Sequence, residues 1–489
     1  MPPEAASHAQ RRASLVAAMR ATAHRAGDPL RLGKRESNLF RDRQRSPRQR
    51  VDLSGFCHVL EINTAEGWVD VEGLTTYEQL VATTLAQGVM PAVVPQLKTI
   101  TVGGAVAGVG IEASSHRHGL VHHTLMEIDV LLPDGEVVHC TPDNDHKDLF
   151  FGFPNAYGTL GYALRLRLRT VPVKPFVRIE HRVHAKAHAF FSDLAGLCGN
   201  GYVGGNGNGN GNGNGNGNGH GNGNGQSSHN PHPDIAAQDV DFVDGVVFGP
   251  RQQVVSVARF VDTAPWVSDY GFEQIYYRSL LDKTVDYLSV QDYLWRWDTD
   301  WFWCSKNFGA QHPLVRRLLG RSRLNSRTYT RWMRWNDRLG ISRQLARLRG
   351  RQLESVIQDV DIPIASATSF LAFLLREVGI LPIWICPVRA PLESQPFTLY
   401  PLAPGTLWIN FGFWDTVASD TARPPGHVNR TIENEVMRLH GVKSLYSDSY
   451  FTPEAFAQVY ATPAYEALKD KYDPLGRMLD LYDKCVLKA

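Results

Sequence analysis

At 489 residues the chain is too long for one simple core and has the length of a multidomain protein. Apolar residues make up 43% and charged residues 20%, ordinary values that exclude collagen-like, disulfide-scaffold and wholly disordered classes. A formal net charge of +2, from 51 basic and 49 acidic side chains, creates no overall field that would draw nucleic acid.

The N-terminal stretch MPPEAASHAQRRASLVAAMRATAHRAG carries arginines throughout and no long apolar run, so it reads as a short amphipathic helix rather than a signal peptide. No apolar run is long enough for a bilayer span. VDLSGFCHVLEINTAEGWVDVEGL predicts strand, turn and strand, with the turn at Thr64–Gly67. TYEQLVATTLAQGV predicts a helix ended by Gly88. The glycine-rich segment TVGGAVAGVGIEASSHRHG, Thr101–Gly119, follows as a loop. LMEIDVLLPDGEVVHCT predicts a hairpin turning at Asp134-Gly135, and GTLGYALRLRLRTVPV alternates into a further strand. These elements form an α+β unit.

From Gly204 to Gly225 the chain is almost pure Gly-Asn repeat, with nothing to bury against the entropy of ordering it, and predicts a disordered insertion. Its flanks predict strand plus helix before it and two alternating strands after it, so it interrupts a domain rather than separating two. DYLWRWDTDWFWCSKNF and RTYTRWMRWNDRLG are rich in Trp, Tyr and Arg, while LPIWICPVRAP and TLWINFGFW predict buried strands. The six cysteines are scattered without a CxxC pair and read as reduced, mostly buried thiols of a cytoplasmic protein; no zinc or other metal site is expected.

The stretches LTTYEQLVATTLAQGVMPAVVPQLKTITVGGAVAGVGIEASSHRHG, LLPDGEVVHCTP, DLFFGFPNAYGTLG and ALKDKYDPLGRMLDLYDK resemble the FAD-binding PCMH-type domain of the vanillyl-alcohol-oxidase superfamily. Within it, Thr101–Gly119, Val138–Pro142, Gln358–Pro363, Pro382–Pro387 and Leu445–Tyr450 are similar to motifs of Δ24-sterol reductases, in order, from about Gly33 onward. The resemblance implies an α+β fold: a two-subdomain PCMH-type FAD-binding domain plus an α+β cap, or substrate, domain. The expected bounds are an N-terminal extension at 1–29, the FAD-binding domain at 30–175, the cap at 176–440 with the Gly-Asn insertion at 204–233, and a segment at 441–489 that returns to the FAD domain.

The resemblance places the flavin against Thr101, Val102, Gly103, Gly104 and Ala105, then Gly108, Gly110, Ile111, Glu112 and Ala113. Ser114, Ser115 and Gly119 extend the contact, and Gly158, Thr159 and Gly161 close on it. Bare backbone suits a pyrophosphate, which is gripped by successive N–H groups. A core turn is the competing explanation for the glycines. GVGIEA is not a Rossmann fingerprint, because SSHRHG follows where a helix is required. Superfamily members that hold flavin covalently use an early-loop histidine; Arg31–Arg41 has none, so FAD is expected to be non-covalent, with Gly33, Lys34, Ser37 and Asn38 as further donors. His116, His118, His122 and His123 are expected as loop or flavin-edge residues, not metal ligands.

For this class of enzyme the resemblance implies NAD(P)H-driven reduction of an isolated branched C=C bond in a lipid. Protonation to a tertiary cation, then hydride from flavin N5, is the expected route, and it requires an acid and aromatic walls. Tyr446, Asp448 and Tyr450 are the candidate donor or orienting groups, with a capping turn before TPEAFAQVYA as the alternative. Trp295, Trp297, Trp301, Trp303 and Trp384 are candidate walls, or core packing. Lys469, Lys471 and Tyr472 match the segment that closes the flavin domain. Actinobacterial relatives of these reductases are associated with methyl-branched fatty acids, so the expected reaction is methylene- to methyl-branched fatty acyl (10-methyl fatty acid synthesis), driven by NADPH. A phospholipid acyl substrate, pairing with a fatty-acyl methyltransferase and peripheral contact at the inner membrane face, with Leu314–Trp335 as the contact surface, complete this expectation. A Δ24-sterol-type reductase and an FAD-dependent sugar or alcohol oxidase are the alternatives.

Overall fold

The computed structural model describes residues 7–23, 29–33, 40, 49–199, 240–339, 344 and 350–488. The Gly-Asn insertion and Lys34, Ser37 and Asn38 lie outside these residues. A helix at His8–Ala23 precedes two short parallel strands, β1 (Leu30–Gly33) and β2 (Gln49–Asp52).

The next six strands form one sheet. β3 (Val59–Asn63) and β4 (Trp68–Glu72) pair antiparallel around the expected turn, where Gly67 has φ +70°. β5 (Val89–Pro91), β6 (Leu125–Leu131), β7 (Val137–Cys140) and β8 (Tyr162–Pro172) complete it in the order β3-β4-β8-β6-β7, with β5 on β8. The helix Tyr77–Leu85 starts at a capping box made by Thr76 and Gln79. Alternation in β8 sends Leu164, Leu166 and Leu168 into the core. Arg165 and Arg167 emerge on the other face and bind Asp70 of β4 and Glu127 of β6 across the strands.

The remaining strands form an eight-stranded antiparallel sheet: β9 (Phe176–His184), β10 (Phe242–Gly249), β11 (Gln252–Val261), β12 (Val285–Ser289), β13 (Gln352–Pro363), β14 (Ile383–Arg389), β15 (Leu407–Ser419) and β16 (Val442–Lys443). The order is β12-β9-β11-β10-β14-β15-β13-β16, so the strands on either side of the Gly-Asn insertion are neighbours in one sheet. One parity of side chain, including Val243, Ile385, Phe411 and Val360, packs under the helices Ala187–Leu197, Ile364–Phe373 and His427–Arg438. The other parity, including Phe242, Trp384 and Trp408, shares a core with Val71, Ile128 and Leu166 of the first sheet.

The glycine-rich segment departs from the expected loop. Residues Val102–Ala107 form a short helix, and Ser115–His118 a further helical turn. Val102, Ala105 and Val106 are buried and give the first helix an apolar face that a loop would waste. Its close seat depends on missing Cβ atoms. A Cβ on Gly103 would lie 2.8 Å from the Gly73 carbonyl oxygen, and one on Gly73 would lie 2.1 Å from the Ala163 carbonyl oxygen. Gly73→Ala is expected to lower stability by about 3 kcal/mol or more through overpacking against backbone that cannot yield. Gly88→Ala, at φ +75° in open space, is expected to cost only about 1 kcal/mol. Thermal unfolding of the two variants checks the contrast.

Candidate functional site

The amides at the start of the short helix are spent inside the protein. Val102 N–H donates to Thr75 O, Gly103 N–H to Gly73 O, and Gly104 N–H to Thr101 Oγ1. The helix start therefore offers little to an anion, contrary to the expectation for Thr101–Gly104. Three residues further on the situation reverses. The N–H groups of Val109, Gly110 and Ile111 make no hydrogen bond among the described residues. Consecutive unspent donors of this kind are what a pyrophosphate needs.

Glu112, Ser114 and Ser115 also take roles other than expected. Ser115 Oγ accepts from Glu112 N–H at 3.1 Å, and Ser114 Oγ donates to Ala92 O at 2.8 Å. Ala113 O accepts from Val243 N–H of β10, and Glu112 O from Cys386 Sγ of β14, so this turn is bolted to the second sheet. The Glu112 carboxylate pairs with Arg296 at 2.9 Å, and Arg296 also reaches Asp244 at 2.9 Å. Arg296 is fully buried, with its guanidinium 4.0 Å from the Tyr293 ring centroid. Burial pushes the Glu112 carboxyl up, and Arg296 opposes that shift.

The turn after Phe153 closes on the glycine segment. Asn155 N–H donates to Gly108 O and Tyr157 N–H to Ala107 O. Asn155 and Tyr157 hold φ of 62° and 50°, and Gly158 and Gly161 are also left-handed. Non-glycine residues there carry backbone strain, which concentrates at functional sites. From the C-terminal segment, Lys484 Nζ caps Tyr157 O at 2.6 Å and Lys469 Nζ reaches Thr159 O at 3.3 Å. Lys471 and Tyr472 bind Asp148. Burial holds His116, His118 and His123 down to about 4, so these rings are neutral at physiological pH. The buried His122 ring packs against His123 and Phe397.

The three candidate proton-handling residues separate. Tyr446 Oη donates to Asp359 Oδ2 of β13 at 2.6 Å and accepts from Trp414 Nε1 of β15 at 2.8 Å. Asp448 pairs with Lys488 at 3.1 Å, while the Tyr450 ring packs between Arg430 and Lys488. The loop is fixed by buried Lys443, which donates to Glu433, Asp448 O and Ser449 Oγ. Thr452 Oγ1 caps the following helix, so the capping reading holds there too.

Asp359 was not among the candidates, and it carries the most informative electrostatics. Its Oδ1 is buried without a hydrogen-bond partner. Burial pushes its carboxyl up to about 7, against the opposing hydrogen bond from Tyr446. Asp361, two residues along, is pushed up to about 6 by burial and binds Tyr400 and Asn410. Both face the first sheet, because their even-numbered neighbours Val360 and Ile362 fill the outer core. The signal was available: two acids at i and i+2 amid an apolar strand, in QDVDIP.

Trp414 also anchors an aromatic slab. Its ring centroid lies 4.5 Å from Phe302, 5.5 Å from Trp303 and 6.5 Å from Trp384. Trp297 stacks on Phe302 at 4.9 Å. Trp297, Trp303 and Trp384 thus come together. Trp301 instead packs with Phe40 and Tyr329, and Trp295 with Lys98. Trp301 and Phe302 hold φ of 47° and 59°, a strained pair that turns their rings to opposite clusters.

Two results are expected from this geometry. A Cβ on Gly412 would lie 2.7 Å from the Trp414 ring and 2.8 Å from Asp359 Oδ1. Gly412→Ala should therefore displace the Trp414–Tyr446–Asp359 group, read as altered tryptophan fluorescence in a protein that still folds. Arg296→Met leaves two buried carboxylates without their cation and should cost about 3–5 kcal/mol in urea unfolding. Adding Glu112→Gln and Asp244→Asn should recover most of that loss.

The family model of the FAD binding domain matches residues 3–141. The Delta(24)-sterol reductase of Homo sapiens is 25% identical over 451 residues, covering 87% of this chain and 75% of that protein. That of Arabidopsis thaliana is 25% identical over 487 residues, covering 91% and 77%. Cytokinin dehydrogenase 10 of Oryza sativa subsp. japonica is 29% identical over 136 residues, 28% of this chain and 24% of its own. The chain is an FAD-dependent oxidoreductase with a PCMH-type FAD-binding domain, related over most of its length to the Delta(24)-sterol reductases.

Proposed function

We propose that the chain reduces an isolated, branched carbon–carbon double bond in a lipid, converting a methylene-branched fatty acyl chain to its methyl-branched product with NADPH as electron donor. The observation that carries this reading is a buried acid, Asp359, joined through Tyr446 to an aromatic slab. The donors at Val109, Gly110 and Ile111 fit the FAD pyrophosphate, and Gly158, Thr159 and Gly161 would close on the flavin. The flavin is held non-covalently, since Arg31–Arg41 contains no histidine. When bound and reduced, FAD supplies the hydride.

The chain's own residues supply the proton. An alkene without a neighbouring carbonyl has no enolate to stabilise, so protonation must lead. With Asp359 protonated, its hydroxyl donates to Tyr446 Oη, which also accepts from Trp414 Nε1. The Tyr446 proton is then free to pass to the terminal methylene carbon, the C=C π pair forming the new C–H bond. The tertiary cation left at the branch carbon faces ring π-clouds of the slab, which favour positive charge. Hydride addition there completes the methyl branch, and the Asp359 proton reloads Tyr446.

The sign of the pH dependence follows from the raised acid. Asp359 is protonated below about 7 and loses its proton as pH rises through that value. kcat/KM should be level below about 7 and fall above it. Asp359→Asn should lose that limb and about 10²–10⁴-fold in rate, while anaerobic NADPH still bleaches the flavin. A limb unchanged in the variant removes Asp359 from the reaction. Lipid mass spectrometry of a deletion strain addresses the substrate: a methylene-branched acyl chain, two hydrogens short of the methyl product, should accumulate. The relatives favour a second reading, a Δ24-sterol-type substrate. An unchanged fatty-acid profile with turnover of such a sterol selects it. Bleaching by a sugar or alcohol in place of NADPH selects an oxidase.

A further inference from the structure

The segment Leu314–Trp335 contains seven arginines and no acidic residue. It forms the helix Pro313–Leu319 and the first part of the helix Ser326–Leu339. On the first helix Leu314, Arg317 and Leu318 share one outward face, and the two leucines are 63% and 81% exposed. On the second, Arg327, Arg331 and Trp335 follow at every fourth position, with Trp335 61% exposed. The inward sides are satisfied: Arg316 is buried against Asp300, and Tyr329 is fully buried. A cavity of about 310 Å³ between the helices is lined by Leu319, Arg323, Thr328, Arg331 and Trp332. Arg321 and Arg327 pair with Asp269 and Glu78, whereas Arg317, Arg323 and Arg331 make no ion pair among the described residues.

We propose that this face docks on a bilayer of anionic phospholipid, with the leucines and Trp335 entering the acyl boundary and the three unpaired arginines meeting phosphate. Charge complementarity selects this occupant. A second copy seated face to face would set arginine against arginine, and nucleic acid would use the cations but give no reason to expose two leucines. Interleaved arginine and large apolar residues are the pattern of helices that lie in a membrane interface. The face is also contiguous with the site. Tyr329 stacks on Trp301 at 6.4 Å, Trp301 lies 5.8 Å from Phe40, and Phe40 lies 5.8 Å from Tyr446. Docking therefore brings an acyl substrate to the slab side of the protein; the purpose, though not the test, rests on the lipid reading above.

The test is co-sedimentation of the full-length, FAD-loaded protein with vesicles. Binding is expected to vesicles of phosphatidylglycerol mixed with phosphatidylcholine, to weaken with salt, and to be absent with phosphatidylcholine alone. Each cation near an anionic surface contributes about five-fold in partition, so Arg317→Gln/Arg323→Gln/Arg331→Gln should lose about a hundred-fold. Leu314→Gln/Leu318→Gln/Trp335→Gln should weaken binding independently. Because all six positions lie on exposed faces or the cavity rim, thermal unfolding and the flavin spectrum should match the parent. Equal binding to neutral vesicles, parental binding by the arginine variant, or no binding by the parent overturns the proposal. So does a dimer in sedimentation velocity that the Trp335 variant dissolves, or preference for duplex DNA over vesicles. The assay needs no turnover, so its failure and that of the reductase reading are separate outcomes.

Discussion

The eight-stranded sheet must serve two masters, and the strict alternation of side chains along a strand lets it do so. On β13, Val356, Val360 and Ile362 fill the outer core under the helices, while Asp359 and Asp361 turn the other way. On β15, Ile409, Phe411 and Phe413 face outward, while Asn410 and Trp414 face Asp361 and Tyr446. Slipping β13 by one residue would turn both acids under the helices, away from Tyr446, Tyr400 and Asn410, so the register is held by the cost of burying them without partners. The apolar core and the site are therefore two faces of one constraint.

Within that frame, burial is resolved in opposite ways at two places. Arg296, fully enclosed, meets two carboxylates and a ring face, which offsets a desolvation penalty of several kcal/mol per ion. Asp359 meets a phenol and has one oxygen without any donor. No cation pairs with it among the described residues, and burial pushes its carboxyl up to about 7. The same dry interior thus makes a fixed clamp between the sheets at Glu112–Arg296–Asp244 and a proton reservoir at Asp359. A clamp suits a place where nothing should move, and a reservoir suits one where a proton must leave.

Local signals in the chain foretold most of the fold. Turns at Thr64–Gly67 and Asp134-Gly135 formed as their residues require, and the alternation around β8, β14 and β15 became strands. The Thr101–Gly119 segment was legible as special but not in its details: its glycines serve close packing of the short helix as much as any ligand. Whether an amide is spent or open depends on Gly73 and Thr75, a strand away, which no local pattern reveals. Likewise Tyr446, Asp448 and Tyr450 look equivalent in LYSDSY. Only the packing of Lys443 against Glu433 turns the first toward Asp359 and leaves Asp448 to Lys488.

The residues around Asp359 also argue about substrate polarity. A site built to bind a sugar or alcohol needs several oriented donors and acceptors, because each unmet hydroxyl costs more than a kcal/mol or so of discrimination. Here Tyr446 meets Trp414 and the edge of Phe40, and Trp414 in turn packs against Phe302, Trp303 and Trp384. Ring faces of this kind suit hydrocarbon and favour positive charge over negative. A carboxyl pushed up to about 7 by burial can hold or release a proton near neutral pH. Paired with an apolar, cation-tolerant wall, it is the arrangement on which the proposed reduction of an isolated double bond rests.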